Sequence, residues 1–344
     1  MPRPHAMLRA GFPYHKTIGR KKMTDFALDL AFGKEGRIYL LSSSGGGTIR
    51  ILHFDDKLLQ YEADEAPAGY AGIKLVEDGA SLPAHLIADS DENCYITDEL
   101  LHTVTVVDRR GHIADRWGRN GSGDGEIDSP SGLAFDLEGN IFVSDTMNNR
   151  IQKFTKDGRF LLKWGEYGSG DGQFDMPWGI AVDPDGDVYV SDWRNDRVQK
   201  FSPGGDFIFG FGHSGTENGE FNRPSGIEVD KDFDIYVCDR GNNRVQLFNP
   251  DGRYLQKFVG NATLSKSALE VLPNMLRNKR LREMSDLEQQ EKFRSPRSVR
   301  VNDEGYMLVP DYAAYRIQVY RKESYPLGEY DVAPELRAVT LSDN

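Results

Sequence analysis

The chain has 344 residues, 38% of them hydrophobic and 36 of them glycine, which gives enough apolar mass for a large core and suits an all-β fold with many tight turns. Its net charge of −12 argues against indiscriminate nucleic-acid binding, whose affinity comes from neutralising phosphates, and leaves only a local basic patch open. Cys94 and Cys238 lack ligand-like spacing and read as reduced, and no apolar run reaches the length of a signal peptide or a membrane span, so a cytoplasmic location is expected.

Residues 1–22 read as an arm, within which Tyr14-His-Lys-Thr-Ile-Gly19 looks like a strand offered to close a ring; compare Phe160-Leu-Leu-Lys-Trp-Gly165. A first, degenerate unit follows through Leu30-Ala-Phe32, Ile38-Tyr-Leu40 and Ile49-Arg-Ile51, with Ser42 where later units have Asp. The second unit aligns on the third at a shift of 47 residues, Pro83 on Pro130 and Asp98 on Asp145, with Thr103 in place of an Arg.

From Gly125 to Phe258 the chain repeats itself three times at that period. Pro130-Ser-Gly-Leu-Ala-Phe-Asp136 returns as Pro177-Trp-Gly-Ile-Ala-Val-Asp183 and Pro224-Ser-Gly-Ile-Glu-Val-Asp230, each followed by a phrase such as Val188-Tyr-Val-Ser-Asp192 and Asp196-Arg-Val-Gln-Lys-Phe201. Each unit divides into four β-branched and aromatic runs between Gly, Asp, Asn and Pro; in the third unit these are Gly132–Phe135, Ile141–Ser144, Ile151–Phe154 and Phe160–Trp164. Four antiparallel strands in a unit of this length predict a propeller blade, buried on both faces.

A sixth unit comes into register at Pro296, Met307-Leu-Val309, Asp311 and Arg316–Tyr320 only if 25 extra residues precede it. That insertion, about residues 264–292, has helical spacing at Leu269, Leu272 and Leu276, a capping box at Ser267-Ala-Leu-Glu270, and Pro273 dividing two pieces. Arg277, Lys279, Arg280 and Arg282 open its second piece, against the helix macrodipole, so the insertion is expected either as a helix packed on the propeller or as a lid or docking arm that flanks or covers Trp178 and Trp193. Ser324–Val332 offers a supplementary or competing closing strand.

The phrases Pro-x-Gly-Ile-Ala-Val-Asp and Tyr-Val-x-Asp-x-x-Asn-x-Arg-Val-Gln-x-Phe resemble the NHL repeat. Over roughly residues 24–322 the chain is similar to a stand-alone, bacterial-type, six-bladed NHL propeller, which implies one all-β domain over residues 1–344 with a helical insertion between blades five and six. A seven-bladed WD-type reading lacks its Trp-Asp strand ending.

The recurring pairs Asp145/Arg150, Asp192/Arg197, Asp239/Arg244 and Asp311/Arg316 predict a structural ion pair across each hairpin, made by a bidentate Arg fork, rather than a catalytic set. Asp183-Pro-Asp-Gly-Asp187 looks like the start of a calcium loop but lacks the later coordinating Glu, so a hairpin turn is expected. Resemblance to peptidylglycine amidating lyase would imply zinc-binding histidines between the Pro and the Gly of blade starts. That slot holds Ala84, Ser131, Trp178, Ser225 and Arg297, with His85 one place later. Resemblance to gluconolactonase-like propellers would need Glu, Asn and Asp converging on the axis, where Asp29 is the one comparable carboxylate. No metal and no cofactor are expected.

Strand alternation brings the loops before each Pro and the second-to-third-strand hairpins to one face, around the mouth of the axial channel. Trp178, Trp193, Arg194, Arg240, Arg297 and Tyr312 are the candidate binding residues there, with Met147, Leu100, Leu101, His102 and Tyr315 beside them. The function expected first is a cytoplasmic scaffold that holds a protein or peptide partner, or a small-molecule ligand, on this face. Two alternatives are carried: a lyase or hydrolase of the amidating-lyase or gluconolactonase type, with no catalytic residue identified, and single-stranded RNA binding, as in some animal NHL domains.

Overall fold

The computed structural model describes residues 7–20, 22–59, 72–76, 80–271 and 287–326. Six antiparallel sheets form the blades of a propeller. Blade one contains Ala27–Phe32, Arg37–Ser42, Thr48–His53 and Lys57–Leu59, with the short strand Ile73–Lys74 added beside Thr48–His53. Blade two runs from Pro83–Ala88 to Ile113–Trp117, blade three from Leu133–Phe135 to Phe160–Trp164, blade four from Pro177–Val182 to Phe207–Phe211, and blade five from Pro224–Val229 to Tyr254–Phe258. The strands are those expected from the repeat. The second strands of blades two to five, such as Ile141–Asp145 and Val188–Asp192, are buried at every position, because neighbouring sheets cover both of their faces.

Blade six takes Arg300–Val301, Tyr306–Asp311 and Arg316–Arg321 from the far part of the chain, and Tyr14–Ile18 from the arm as its fourth strand, in register Tyr14↔Tyr320 and Ile18↔Ile317. The second closing candidate is supplementary: Glu323–Pro326 pairs with Met7–Gly11 in a separate two-stranded ribbon, and residues 327–332 lie outside the described residues.

Repetition also fixes the packing between blades. The aromatic that ends the fourth strand of blades two to five packs on an aromatic of the next blade's third strand: Trp117 on Phe154 at 5.1 Å, Trp164 on Phe201 at 5.7 Å, Phe211 on Phe248 at 4.9 Å and Phe258 on Tyr320 at 5.3 Å. Such pairs contribute about 0.5–1.5 kcal/mol each beyond the area they bury. The turn of the next blade slides over the same ring; at Gly158, φ 81°, an added Cβ would lie 2.5 Å from Trp117.

The insertion differs from expectation in its cap. The first helix is Lys266–Val271 and its cap is Ser265, whose Oγ accepts the N–H of Ala268 at 3.1 Å, while the N–H of Ser267 goes to Asp56 at 2.5 Å. The helix therefore lies on the rim between blades six and one, against Tyr14–Ile18, Arg20 and Asp56, and not against the Trp178–Trp193 pair of blade four. Pro273 and the basic residues Arg277, Lys279, Arg280 and Arg282 fall outside the described residues.

Candidate binding face

Left-handed residues build the loop face at two positions, each occupied in five of the six blades. One precedes the first strand: Phe26, Ser129, Met176, Arg223 and Ser295, with φ between 49° and 61°. The other ends the second hairpin: His102, Asn149, Asp196, Asn243 and Tyr315, with φ between 51° and 56°. A non-glycine residue in this region is strained, and the strain is held by hydrogen bonds across the blade seams. Four of the hairpin side chains accept the backbone N–H of the next blade's left-handed residue: His102 Nδ1 from Ser129 at 3.0 Å, Asn149 from Met176 at 2.9 Å, Asp196 from Arg223 at 2.6 Å and Asn243 from Ser295 at 2.7 Å. Blade six is tied to blade one differently, through Thr24 Oγ1, which donates to the carbonyl of Tyr315 at 2.5 Å.

The hairpins carry the predicted ion pairs, with one correction. Asp145 takes a single 2.7 Å contact from Arg150 Nε, and the remainder of the fork donates to the carbonyls of Ser122, Gly123 and Glu126 in the preceding Gly-rich loop. Asp145 is instead satisfied by the N–H of Asp128 and by Asn148 and Gln152. Blades four and five repeat this, and in blade six the Arg316 fork reaches Gln290 and Lys292. The bidentate geometry fails because the loop carbonyls, which have no strand partner, claim the fork. Blade one, lacking Asp and Arg in these positions, substitutes an Asp25–Arg50 pair at 2.8 Å.

Trp178 and Trp193 lie 5.8 Å apart at an interplanar angle of 37° on blade four. Trp178 is placed by its carbonyl, which accepts from Gly132 N–H and Ser131 Oγ of blade three, each at 2.9 Å. The same device seats Arg297: its carbonyl accepts from Gly226 N–H at 2.9 Å and Ser225 Oγ at 3.0 Å. Arg223, which the sequence pattern passed over as a variable position, sits 5.1 Å from the Trp193 ring, closer than Arg194 at 6.0 Å. Arg194 is the more peripheral of the two, 4.0 Å from Asp175. Arg297 lies 4.1 Å over the ring of Tyr312, which also packs on Phe26. Arg240 donates to Ser295 Oγ at 3.3 Å, and its charge acts on both Arg223 and Arg297. The six predicted residues thus span blades four to six on one face.

Opposite them Glu99, on the hairpin of blade two, has its carboxyl pushed up to about 7; burial is the main cause and is only partly offset by Arg297 and Arg240. His102 and Tyr315, by contrast, are committed to the seams.

Beneath this face the axis is plugged. The first strands turn two positions inward. The upper one holds Asp29, His85, Gly132, Gly179, Gly226 and Ser298, and the lower one places Glu228 and Arg300 among Ala31, Ile87, Ala134 and Ala181. The glycines are required by close approach, since a Cβ on Gly179 would stand 2.2 Å from the Ser225 carbonyl. Arg300 fills the centre: it meets Asp29 at 2.8 Å, Glu228 at 2.9 Å, His85 Nε2 at 3.1 Å and the carbonyl of Leu86 at 3.0 Å. Ser298 Oγ, Leu30 N–H and Leu86 N–H complete Asp29.

Burial drives His85 down to about 4, with Arg300 acting in the same direction and Asp29 opposing it. Asp29 stays below the usual carboxylate range because Arg300 and His85 outweigh its burial. This cluster does not fit a metal, for a guanidinium already occupies the point where Asp29, His85 and Glu228 converge. Among the described residues no group of three His, Cys, Asp or Glu side chains is arranged to hold one. The calcium-like turn behaves as expected of a hairpin: Asp183 accepts the N–H groups of Asp185 and Asp187, and Lys200 supplies the cation at 3.1 and 2.8 Å.

The NHL repeat family matches residues 128–154, 174–201 and 221–248, so the chain is a six-bladed β-propeller that carries NHL repeats. No curated protein matches the sequence. Among solved structures, a catalytically inactive virginiamycin B lyase from Staphylococcus aureus with quinupristin is 15% identical, with a TM-score of 0.54 over 93% of this chain and 90% of that one. A streptogramin B lyase is 12% identical, with a TM-score of 0.56 over 91% and 98%. A structural genomics protein of unknown function from Bacteroides thetaiotaomicron is 18% identical, with a TM-score of 0.59 over 92% and 76%. At these identities the likeness is one of fold.

Proposed function

We propose that this NHL-repeat propeller is a cytoplasmic binding scaffold that holds a protein or peptide partner on its loop face. The observation that carries the reading is the pairing of Trp178 and Trp193, half-buried on a backbone held by cross-seam bonds and flanked by Arg194 and Arg223. Aromatic anchors beside guanidiniums on a preorganised surface supply contact area at small entropic cost. The free, buried thiols of Cys94 and Cys238 support a reducing compartment.

The lyase alternative draws its support from the structural neighbours alone; in this chain the axial carboxylates and His85 are saturated by Arg300. Single-stranded RNA binding would use the same arginines and tryptophans, but the net charge of −12 opposes it. The test is capture from native lysate by the intact protein, by a Trp178→Ala/Trp193→Ala variant and by a control altered at Glu304 on the opposite face. Loss of a captured partner in the tryptophan variant alone supports the reading. Equal capture by all three overturns it.

A further inference from the structure

The buried arginines of this protein are paired as a rule: Arg50 with Asp25, Arg150 with Asp145, Arg244 with Asp239 and Arg300 with Asp29 and Glu228. Three arginines on the loop face break that rule. Arg223, Arg240 and Arg297 have no carboxylate within 4.0 Å among the described residues, although Arg240 and Arg297 are half-buried. The Nε–H of Arg297 is fully buried and has no acceptor among the described residues. The three also repel one another through Arg240, which lies between the other two. Crowded guanidiniums, two of them half-buried and reached only at a distance by the charge of Glu99, cost stability, and such an arrangement suits a site whose close counter-charge arrives with a ligand.

The surroundings narrow the ligand. Trp193 and Trp178 border Arg223 on one side, and Tyr312 backs Arg297 on the other, so an apolar or aromatic group is accommodated next to the anion. Glu99 faces the arc from blade two, with Asp98 behind it, and both disfavour a dianion relative to a monoanion. We propose that Arg223, Arg240 and Arg297 form a carboxylate-binding arc for an acidic peptide segment, in which an Asp or Glu side chain spans the guanidiniums and a neighbouring aromatic side chain packs on the tryptophans. This rests on the reading that the loop face is the binding face, and it adds the chemistry of the ligand.

The experiment titrates the intact protein with N-acetyl-aspartyl-phenylalanine amide, its asparaginyl counterpart and its phosphoseryl counterpart, by calorimetry and by tryptophan fluorescence. The aspartyl peptide is expected to bind at least tenfold more tightly than either of the others, and Arg297→Gln and Arg240→Gln each to weaken it at least tenfold. Both variants are expected to melt no lower than the parent, since each removes a repulsion. Arg240→Lys, which keeps the charge and loses the fork, should fall between parent and Gln variant. Equal binding of the asparaginyl peptide, tighter binding of the phosphoseryl peptide, or a clear drop in melting temperature in both Gln variants overturns the carboxylate arc. Should the peptides fail while the tryptophan variant still loses its partner in lysate capture, the arc is wrong and the binding face stands.

Discussion

Asn149 on blade three accepts the backbone N–H of Met176 on blade four at 2.9 Å, and both residues are left-handed, with φ of 53° and 59°. The bond therefore holds two strained residues at once. Asn149→Gly removes the acceptor and relieves the strain, and is expected to cost about 1 kcal/mol. Asn149→Ala removes the acceptor and keeps a Cβ in the left-handed region, which should add about 1–2 kcal/mol. Urea unfolding of both variants measures the difference, and equal costs would remove strain from the account of this seam.

Arg150 donates to Asp145 and to three loop carbonyls, and Asp145 is completely buried. Arg150→Ala leaves that charge without its cation and is expected to cost about 3–5 kcal/mol at neutral pH. Burial already raises Asp145 above its ordinary value, and losing the arginine raises it further. A carboxyl raised in the folded state loses stability as pH rises, so the variant's deficit should shrink between pH 7 and pH 5. Chemical denaturation at the two pH values checks this, and a deficit independent of pH would show that the loop bonds alone matter.

Two groups pull the pH profile in opposite directions. His85 is depressed to about 4, so its contribution is fully present above the unfolded value of about 6.5 and is lost as pH falls towards 4, on the order of 3 kcal/mol. Glu99 is raised to about 7, so its contribution is present at low pH and is lost as pH rises from about 4.5 through 7. His85→Gln is expected to flatten the fall in melting temperature below pH 6.5, and Glu99→Gln to steepen it. Melting curves from pH 4.5 to 7.5 decide; parallel curves for all three proteins would contradict the assignment.

The strand Tyr14–Ile18 completes blade six, whereas Met7–Gly11 belongs to the outer ribbon. Deleting residues 1–10 is expected to leave a monomer with a modestly lower melting temperature. Deleting residues 1–22 exposes the edge of Arg316–Arg321 and is expected to give oligomers or aggregate. Light scattering on both truncations tests this, and a monomeric, stable longer truncation would mean that another segment can pair with that edge.

The blades were legible because their strands are set by local alternation and turn chemistry, and closure was legible because Tyr14–Gly19 keeps the pattern of a fourth strand. The axial cluster was only half legible. Asp29, His85 and Ser298 replace the glycine of the other blades at one and the same inward position, and taken together they announce a polar plug. Their cation, Arg300, and its second partner, Glu228, fall where other blades have small or apolar residues, so their meeting depends on the ring, which no single unit encodes. Arg223 escaped notice for a related reason: the position before Pro224 varies freely in the repeat, and its charge gains meaning only beside Trp193 of the neighbouring blade.

Blade six joins Ile18 to Ile317, and this has a consequence in time. During synthesis at about 5–20 residues per second, the N-terminal strand waits for its partner on the order of 15–60 s. Blades two to five each close on strands only tens of residues apart and can form in the order in which they emerge. Throughout that interval the nascent chain is an open arc, with a free strand at its leading end and blade five not yet covered by blade six at its growing end. Two such chains on one message could exchange their N-terminal strands before either closes, a hazard that the ring's closure by a terminal strand carries with it.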